Sequence, residues 1–113
     1  MSKLADLLEK TLHDLFPHNR IIKEHYVNYK DERLFFDFFI KEFNMLIEVQ
    51  GAQHYKFVKH FHGDKEGFTN QKKRDNLKKA YCEENNLSLM EIRSEDEVGE
   101  ISLLTKICEA IIP

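Results

Sequence analysis

Two acids stand alone in otherwise apolar, strand-like segments: Asp37 in LFFDFFI and Glu48 in MLIEVQ. Residues 41–44 between them are few enough for a hairpin turn, so the segments pair antiparallel with residue 40 facing 45 and 38 facing 47. That register sets Asp37 opposite Glu48. Side chains so opposed on one face have Cβ atoms roughly 4.5 to 5.5 Å apart, and two like charges at that spacing repel unless something lies between them. A divalent cation answers the repulsion, because hard carboxylate oxygens from adjacent strands, completed by waters, are what Mg2+ or Mn2+ accepts. Gln50 follows Glu48 by two residues, so the period of a strand turns it to the same face. The alternative for each acid is plain. Asp37 caps a turn or pairs with Arg33, and Glu48 faces water on a half-buried strand.

A second concentration of chemistry follows. From residue 56 to residue 79 there are eight bases (Lys56, Lys59, Lys65, Lys72, Lys73, Arg74, Lys78, Lys79) against three acids, a local charge of +5 in a chain whose net charge is -3. A basic middle between acidic ends fits a polyanion on one face; the bland reading is a solvated, lysine-rich helix. His54, His60 and His62 lie in the same region, as do Tyr55, Phe57 and Phe61, which either stack on bases or pack in the core. His60 and His62 alternate like ligands but lack the spaced Cys or His partners of a zinc site. Cys82 and Cys108 show neither zinc spacing nor disulfide density, and read as reduced thiols packed in the core.

The elements that must position these residues are readable from periodicity. Leu4, Leu7, Leu8, Leu12 and Leu15 recur at helical spacing over residues 2–16, and Pro17 stops the run. Residues 21–29, 34–40 and 45–50 are extended and form a three-strand meander. Gly51 opens a loop-like stretch through Gly63 and Gly67. Thr69 or Asn70 caps a helix reaching to about residue 86, with Phe68, Leu77, Ala80 and Tyr81 as a thin apolar side. Residues 87–92 return to strand. Ser94 and Glu97 form a capping-box pattern ahead of a last helix whose apolar side is Val98, Ile101, Leu104, Cys108 and Ile111. The order predicts an α/β domain: a mixed β-sheet, three-strand meander plus one further strand, flanked by helices on both faces.

At 113 residues the chain is the length of one domain, residues 1–113, and its nine Phe and four Tyr supply a core. Disorder is excluded by that apolar content. No apolar run reaches the roughly 18 to 20 residues of a membrane span, and MSKLADLLEK lacks the apolar block of a signal peptide, so a cytoplasmic location without membrane partners is expected.

With the elements in order, Asp37 in LFFDFFI and Glu48 and Gln50 in IEVQGAQHY, on a hairpin behind a first helix, resemble the PD-(D/E)XK endonuclease motif, with Gln in place of the usual Lys. EVQGAQHY, KFVKHFHGDKEGF, QKKRDNLKKAYCEENN and LSLMEI together are similar to small phage and bacterial endonuclease-like proteins related to homing endonucleases of the very-short-patch-repair type. The similarity covers about residues 34–93. It implies a restriction-endonuclease-like core, Asp37 and Glu48 as ligands of Mg2+ or Mn2+, and Gln50 at the place of the water-orienting lysine. It further implies His54 near the scissile phosphate, and Arg74, Asp75 and Lys78 on the helix that completes the site, where a cation could replace the missing strand lysine. Lys56, Lys59, Lys72, Lys73, Arg74 and Lys79 would meet flanking phosphates.

The expected activity is metal-dependent hydrolysis of DNA phosphodiester bonds, by cleavage or nicking of double-stranded DNA. Two alternatives stay open: a catalytically inactive nucleic-acid-binding module of the same fold, and a small structural protein that binds a partner. The sequence contains no separate DNA-reading motif, which calls for a partner that reads sequence or for a homodimer that cuts both strands.

Overall fold

The structure is a computed structural model that describes residues 3–50 and 65–111. Its centre is a four-stranded sheet in the order β1-β2-β3-β4, formed by β1 (Ile21–Tyr29), β2 (Glu32–Ile40), β3 (Met45–Val49) and β4 (Ser88–Ile92). The first three strands are an antiparallel meander, and β4 runs parallel to β3. The helices are α1 (Lys3–Leu15), α2 (Lys65–Glu84) and α3 (Glu100–Ile111). The α/β class and the mixed sheet expected from the sequence are therefore present, with α2 supplying the connection that parallel pairing of β3 and β4 requires.

Helices cover both faces. Leu8 and Leu12 of α1 and Leu103 and Ile107 of α3 pack with Phe38, Ile40, Met45, Ile47, Met90, Ile92 and Val98 in one cluster. On the other face, Leu77, Ala80, Tyr81 and Cys82 of α2 meet Tyr29, Leu34, Phe36 and Leu46. Asn44, left-handed at φ 49°, closes the short 3-10 link between β2 and β3, and β3 is almost entirely buried. The pairs Phe38 with Ile47 and Ile40 with Met45 match the register read from the loop length.

The long β1–β2 hairpin departs from simple alternation. Ile21, Phe38 and Ile40 lie on the α1 side, where Lys23 also pairs with Glu9 of α1 at 3.2 Å. Farther along, Val27, Tyr29, Leu34 and Phe36 lie on the α2 side. Strict period-two geometry would put Ile21 on the same side as Val27 and Tyr29, and Leu34 and Phe36 on the same side as Phe38 and Ile40. The slip falls between residues 23 and 25 on one strand and between 36 and 38 on the other, where Glu24 adopts φ 50° and its pairing with Asp37 lapses. Lys23 with Phe38 and His25 with Phe36 keep the same register on either side. Both strands thus change face at one level without an inserted residue.

Four expectations need correction. The helix expected to start at Thr69 or Asn70 begins at Lys65, with Gly67 inside its first turn, and ends at Glu84. Asn86, at φ 56°, turns the chain out, and the N–H of Leu87 donates back to Cys82. The capping box at Ser94 is replaced by a 3-10 turn over residues 95–98, in which Ser94 makes no side-chain cap. The Glu97 carboxylate instead accepts the Arg93 N–H at 2.9 Å and the Lys106 ammonium at 3.1 Å. Of the anticipated stripe only Val98 is buried, and it lies in the 3-10 turn; the last helix itself buries Leu103 and Ile107. Ile101 is 84% exposed, and Leu104, Cys108 and Ile111 are exposed as well. Of the two thiols only Cys82 is in the core. No described helix is long and apolar enough to cross a membrane.

Candidate active site

Asp37 sits where the hairpin changes face, and its side chain ends the β2–β3 ladder. Its Oδ2 accepts the N–H of Val49 at 2.7 Å, one residue beyond Glu48. Glu48 in turn is held by a backbone hydrogen bond from Asp37. The two acids are therefore neighbours just beyond the last β2–β3 pair, Phe38 with Ile47; Asp37 and Glu48 themselves are not a ladder pair. Arg33 makes no ion pair among the described residues, so the reading in which it neutralises Asp37 fails. Glu48 is 6% exposed, which removes the wet-face reading as well.

The third member comes from α2. Lys78 Nζ donates to Glu48 Oε1 at 3.1 Å, and both side chains are largely buried. The ammonium also lies 5.4 Å from the centre of the Phe36 ring, an apolar neighbour whose face attracts a cation. Burial pushes the Glu48 carboxyl up to about 7; Lys78 opposes that shift and the charge of Asp37 adds to it. The same surroundings, burial first and then the Glu48 charge, push the Cys82 thiol up to about 11, which leaves it a packed and unreactive group. The repulsion that seemed to call for a metal ion is thus met by groups of the protein itself: an ammonium on Glu48 and an amide on Asp37.

Lys78 reaches the site as part of one stripe of α2. Gln71, Asp75, Lys78 and Cys82 recur at i, i+4, i+7 and i+11, one stripe of a helix whose other residues are mostly polar. Cys82 and Lys78 lie against the sheet, and Asp75, half-buried, is one turn before Lys78. Gln50 is buried at the end of β3, where its N–H donates to the Ile92 carbonyl at 2.8 Å and so ties the strand end to β4.

The structure brings Asp37, Glu48 and Lys78 together. It places Arg74 elsewhere: Arg74 and Lys73 line a cleft of about 210 Å3 with Glu32, Asn70 and Leu77, between α2 and the hairpin. Lys72 is half-buried with its ammonium 5.7 Å from the Phe68 ring centre, and Lys79 is exposed. His54, Lys56 and Lys59 lie outside the described residues, as do His60, His62, Tyr55, Phe57 and Phe61. Among the described residues no three His, Cys, Asp or Glu side chains converge as a metal cage would require. Mg2+ asks for less, since one or two carboxylates with waters and substrate phosphate suffice. Sequence reasoning did not anticipate the face change at Glu24 and Asp37; a charged residue at each of two opposed strand positions was its only signal.

Comparison with known proteins adds relatives without a known role. Over 46 residues, 41% of the chain, it is 54% identical to uncharacterized protein 307L of Invertebrate iridescent virus 6 and 46% identical to uncharacterized protein 033L of Invertebrate iridescent virus 3. These matches span 23% and 24% of the two viral proteins, about a quarter of their length. No protein-family model and no solved structure matches the chain.

Proposed function

We propose that the domain is a metal-dependent endonuclease of restriction-endonuclease-like architecture that hydrolyses DNA phosphodiester bonds. The observation that carries the reading is the convergence of Asp37 and Glu48, from adjacent strands, with the ammonium of Lys78 from the opposing helix. Mg2+ or Mn2+ bound by the two carboxylates would supply a water of lowered pKa and offset charge on the phosphate. The Val49 N–H keeps one Asp37 oxygen fixed in the sheet and leaves the other oxygen for a ligand. Lys78, released from Glu48, has the reach to orient a nucleophilic water or a phosphate oxygen, the role a strand lysine would play where this chain has Gln50. Gln50 can hold such a water by hydrogen bonds but has no proton to exchange. His54 is the candidate base beside the phosphate, and Lys73, Arg74 and Lys79 give α2 a cationic surface for flanking phosphates. Cutting both strands of a duplex calls for a second copy of the chain, in keeping with one site per domain.

The closed Glu48–Lys78 pair, together with Gln50, favours a second reading: a catalytically inactive module of the same fold that binds nucleic acid. Supercoiled plasmid incubated with the protein in Mg2+ or Mn2+ separates the two. Nicked or linear product is expected, with a loss of at least about a thousandfold for Asp37→Asn and for Lys78→Met. Salt-sensitive DNA binding without cleavage by the native protein would establish the inactive module instead.

A further inference from the structure

Among the described non-glycine residues, Glu24 is the one inside a strand whose backbone is left-handed, at φ 50°. The others with that conformation, Lys30, Asp31, Asn44 and Asn86, lie in turns between elements. A Cβ makes the left-handed region costly, so a strand keeps it only where the surroundings impose it. The Glu24 side chain is exposed and has no ion-pair partner among the described residues. What Glu24 does to its neighbours it does through its backbone.

The effect falls on Asp37. Lys23 pairs with Phe38 and His25 with Phe36, so Asp37 lies across from Glu24 at the rung where the β1–β2 pairing lapses. Side chains of a regular strand stand roughly perpendicular to the sheet. In an unbroken β2, Asp37 would therefore project from one face, with Phe36 and Phe38 together on the other. Instead the two rings lie on opposite faces, and the carboxylate between them reaches β3, where Oδ2 accepts the Val49 N–H at 2.7 Å. The β2–β3 register, carried past Phe38 and Ile47, would set Phe36 across from Val49. A side chain thus stands where a continued ladder would use main chain.

We propose that Glu24 is a positioning residue for Asp37: its left-handed backbone breaks the β1–β2 ladder at that rung and turns the Asp37 carboxylate towards β3 and Glu48. The inference rests on the nuclease reading only for what that carboxylate then holds. Glutamate itself is dispensable at this position; acceptance of a positive φ is not. Glycine takes it without steric cost, whereas a β-branched valine resists it.

The test compares Glu24→Gln, Glu24→Gly and Glu24→Val, each alone and with Asp37→Asn. In amide NMR spectra Asp37→Asn should shift the Val49 proton in the native, Glu24→Gln and Glu24→Gly backgrounds, because its acceptor loses a charge. The same change should leave that proton in place in Glu24→Val, where the contact is gone. Glu24→Gly should raise the thermal midpoint, opposite to the fall that glycine causes inside a regular strand. Mn2+ titrated without DNA, followed by loss of the free-ion paramagnetic resonance signal, should bind Glu24→Val at least about tenfold more weakly than native protein. Glu24→Gly should bind it within about twofold of native. A Val49 proton that answers to Asp37→Asn in Glu24→Val as it does in native protein would overturn the proposal. So would a midpoint lowered by Glu24→Gly, which decides the matter even where Glu24→Val does not fold. Equal effects of Glu24→Gln and Glu24→Val would also overturn it, since they would assign the effect to the carboxylate. Failure of native protein to bind Mn2+ or to cut plasmid bears on the nuclease reading; the Val49 coupling and the midpoint still decide Glu24.

Discussion

Against α1 and α3 the sheet presents Phe38, Ile40, Met45, Ile47 and Ile92, all at or below 1% exposure. Against α2 it presents Leu34, Phe36 and Leu46 together with a carboxylate that rests on a lysine. The first face is an apolar layer of the kind that stabilises a domain in proportion to the area it removes from water. The second also buries apolar groups but includes a buried ion pair, which commonly contributes less than apolar groups of equal volume would. The α1 side therefore holds the fold together, and the α2 side gives up stability to keep charged groups at one end of β3. Such a concession is characteristic of functional sites.

Three measurements test that division, beginning with the largest effect. Phe38→Ala should cost about 3 to 5 kcal/mol in urea unfolding, because it empties the centre of the apolar layer. Loss of less than about 1 kcal/mol would mean that this face is not the dominant core. Lys78→Met should cost about 2 to 3 kcal/mol, less than breaking a fully buried pair, since Glu48 can take up a proton when its partner is gone. Adding Glu48→Leu to that variant should bring stability back to within about 1 kcal/mol of native, or above it, while cleavage stays abolished. If the double variant is no more stable than the single one, the pair is a structural support rather than a concession.

The third effect is smaller and depends on pH. Because the Glu48 carboxyl is held at about 7 in the fold, against an ordinary value of 4.5, folding favours its protonated form. Its contribution is complete below the unfolded value and is lost as pH rises through the folded one. In EDTA, the native protein should lose about 1 to 3 kcal/mol relative to Glu48→Gln between pH 4.5 and 8. A difference that stays constant over that range would show that burial does not govern this carboxyl.

The sequence revealed the α2 side and the α1 side to different depths. The β2–β3 register was legible because a four-residue link leaves few ways to pair two strands, and Asn44 readily takes the left-handed turn that closes it. Asp37 and Glu48 were found through that register. Lys78 was legible only through resemblance, since a lysine in a polar helix carries no sign of which face it will occupy. The buried side of α3 was misread for a related reason. Ile101, Leu104, Cys108 and Ile111 share a helical stripe as regular as any in the chain, but the turn at residues 95–98 and Gly99 set the helix phase so that Leu103 and Ile107 meet the core. Periodicity identifies an apolar side; only tertiary packing decides which side is covered.

The paired kinks at Glu24 and Asp37 have one more consequence. Because the cross-strand partners remain in step above and below them, neither strand can straighten alone: the straightened one would turn Phe36 or His25 away from α2 while its neighbour stayed put. The two irregularities can only be kept or erased in concert. The ribbon therefore behaves as two short blades set at different pitch on one shaft, with a carboxylate at the joint.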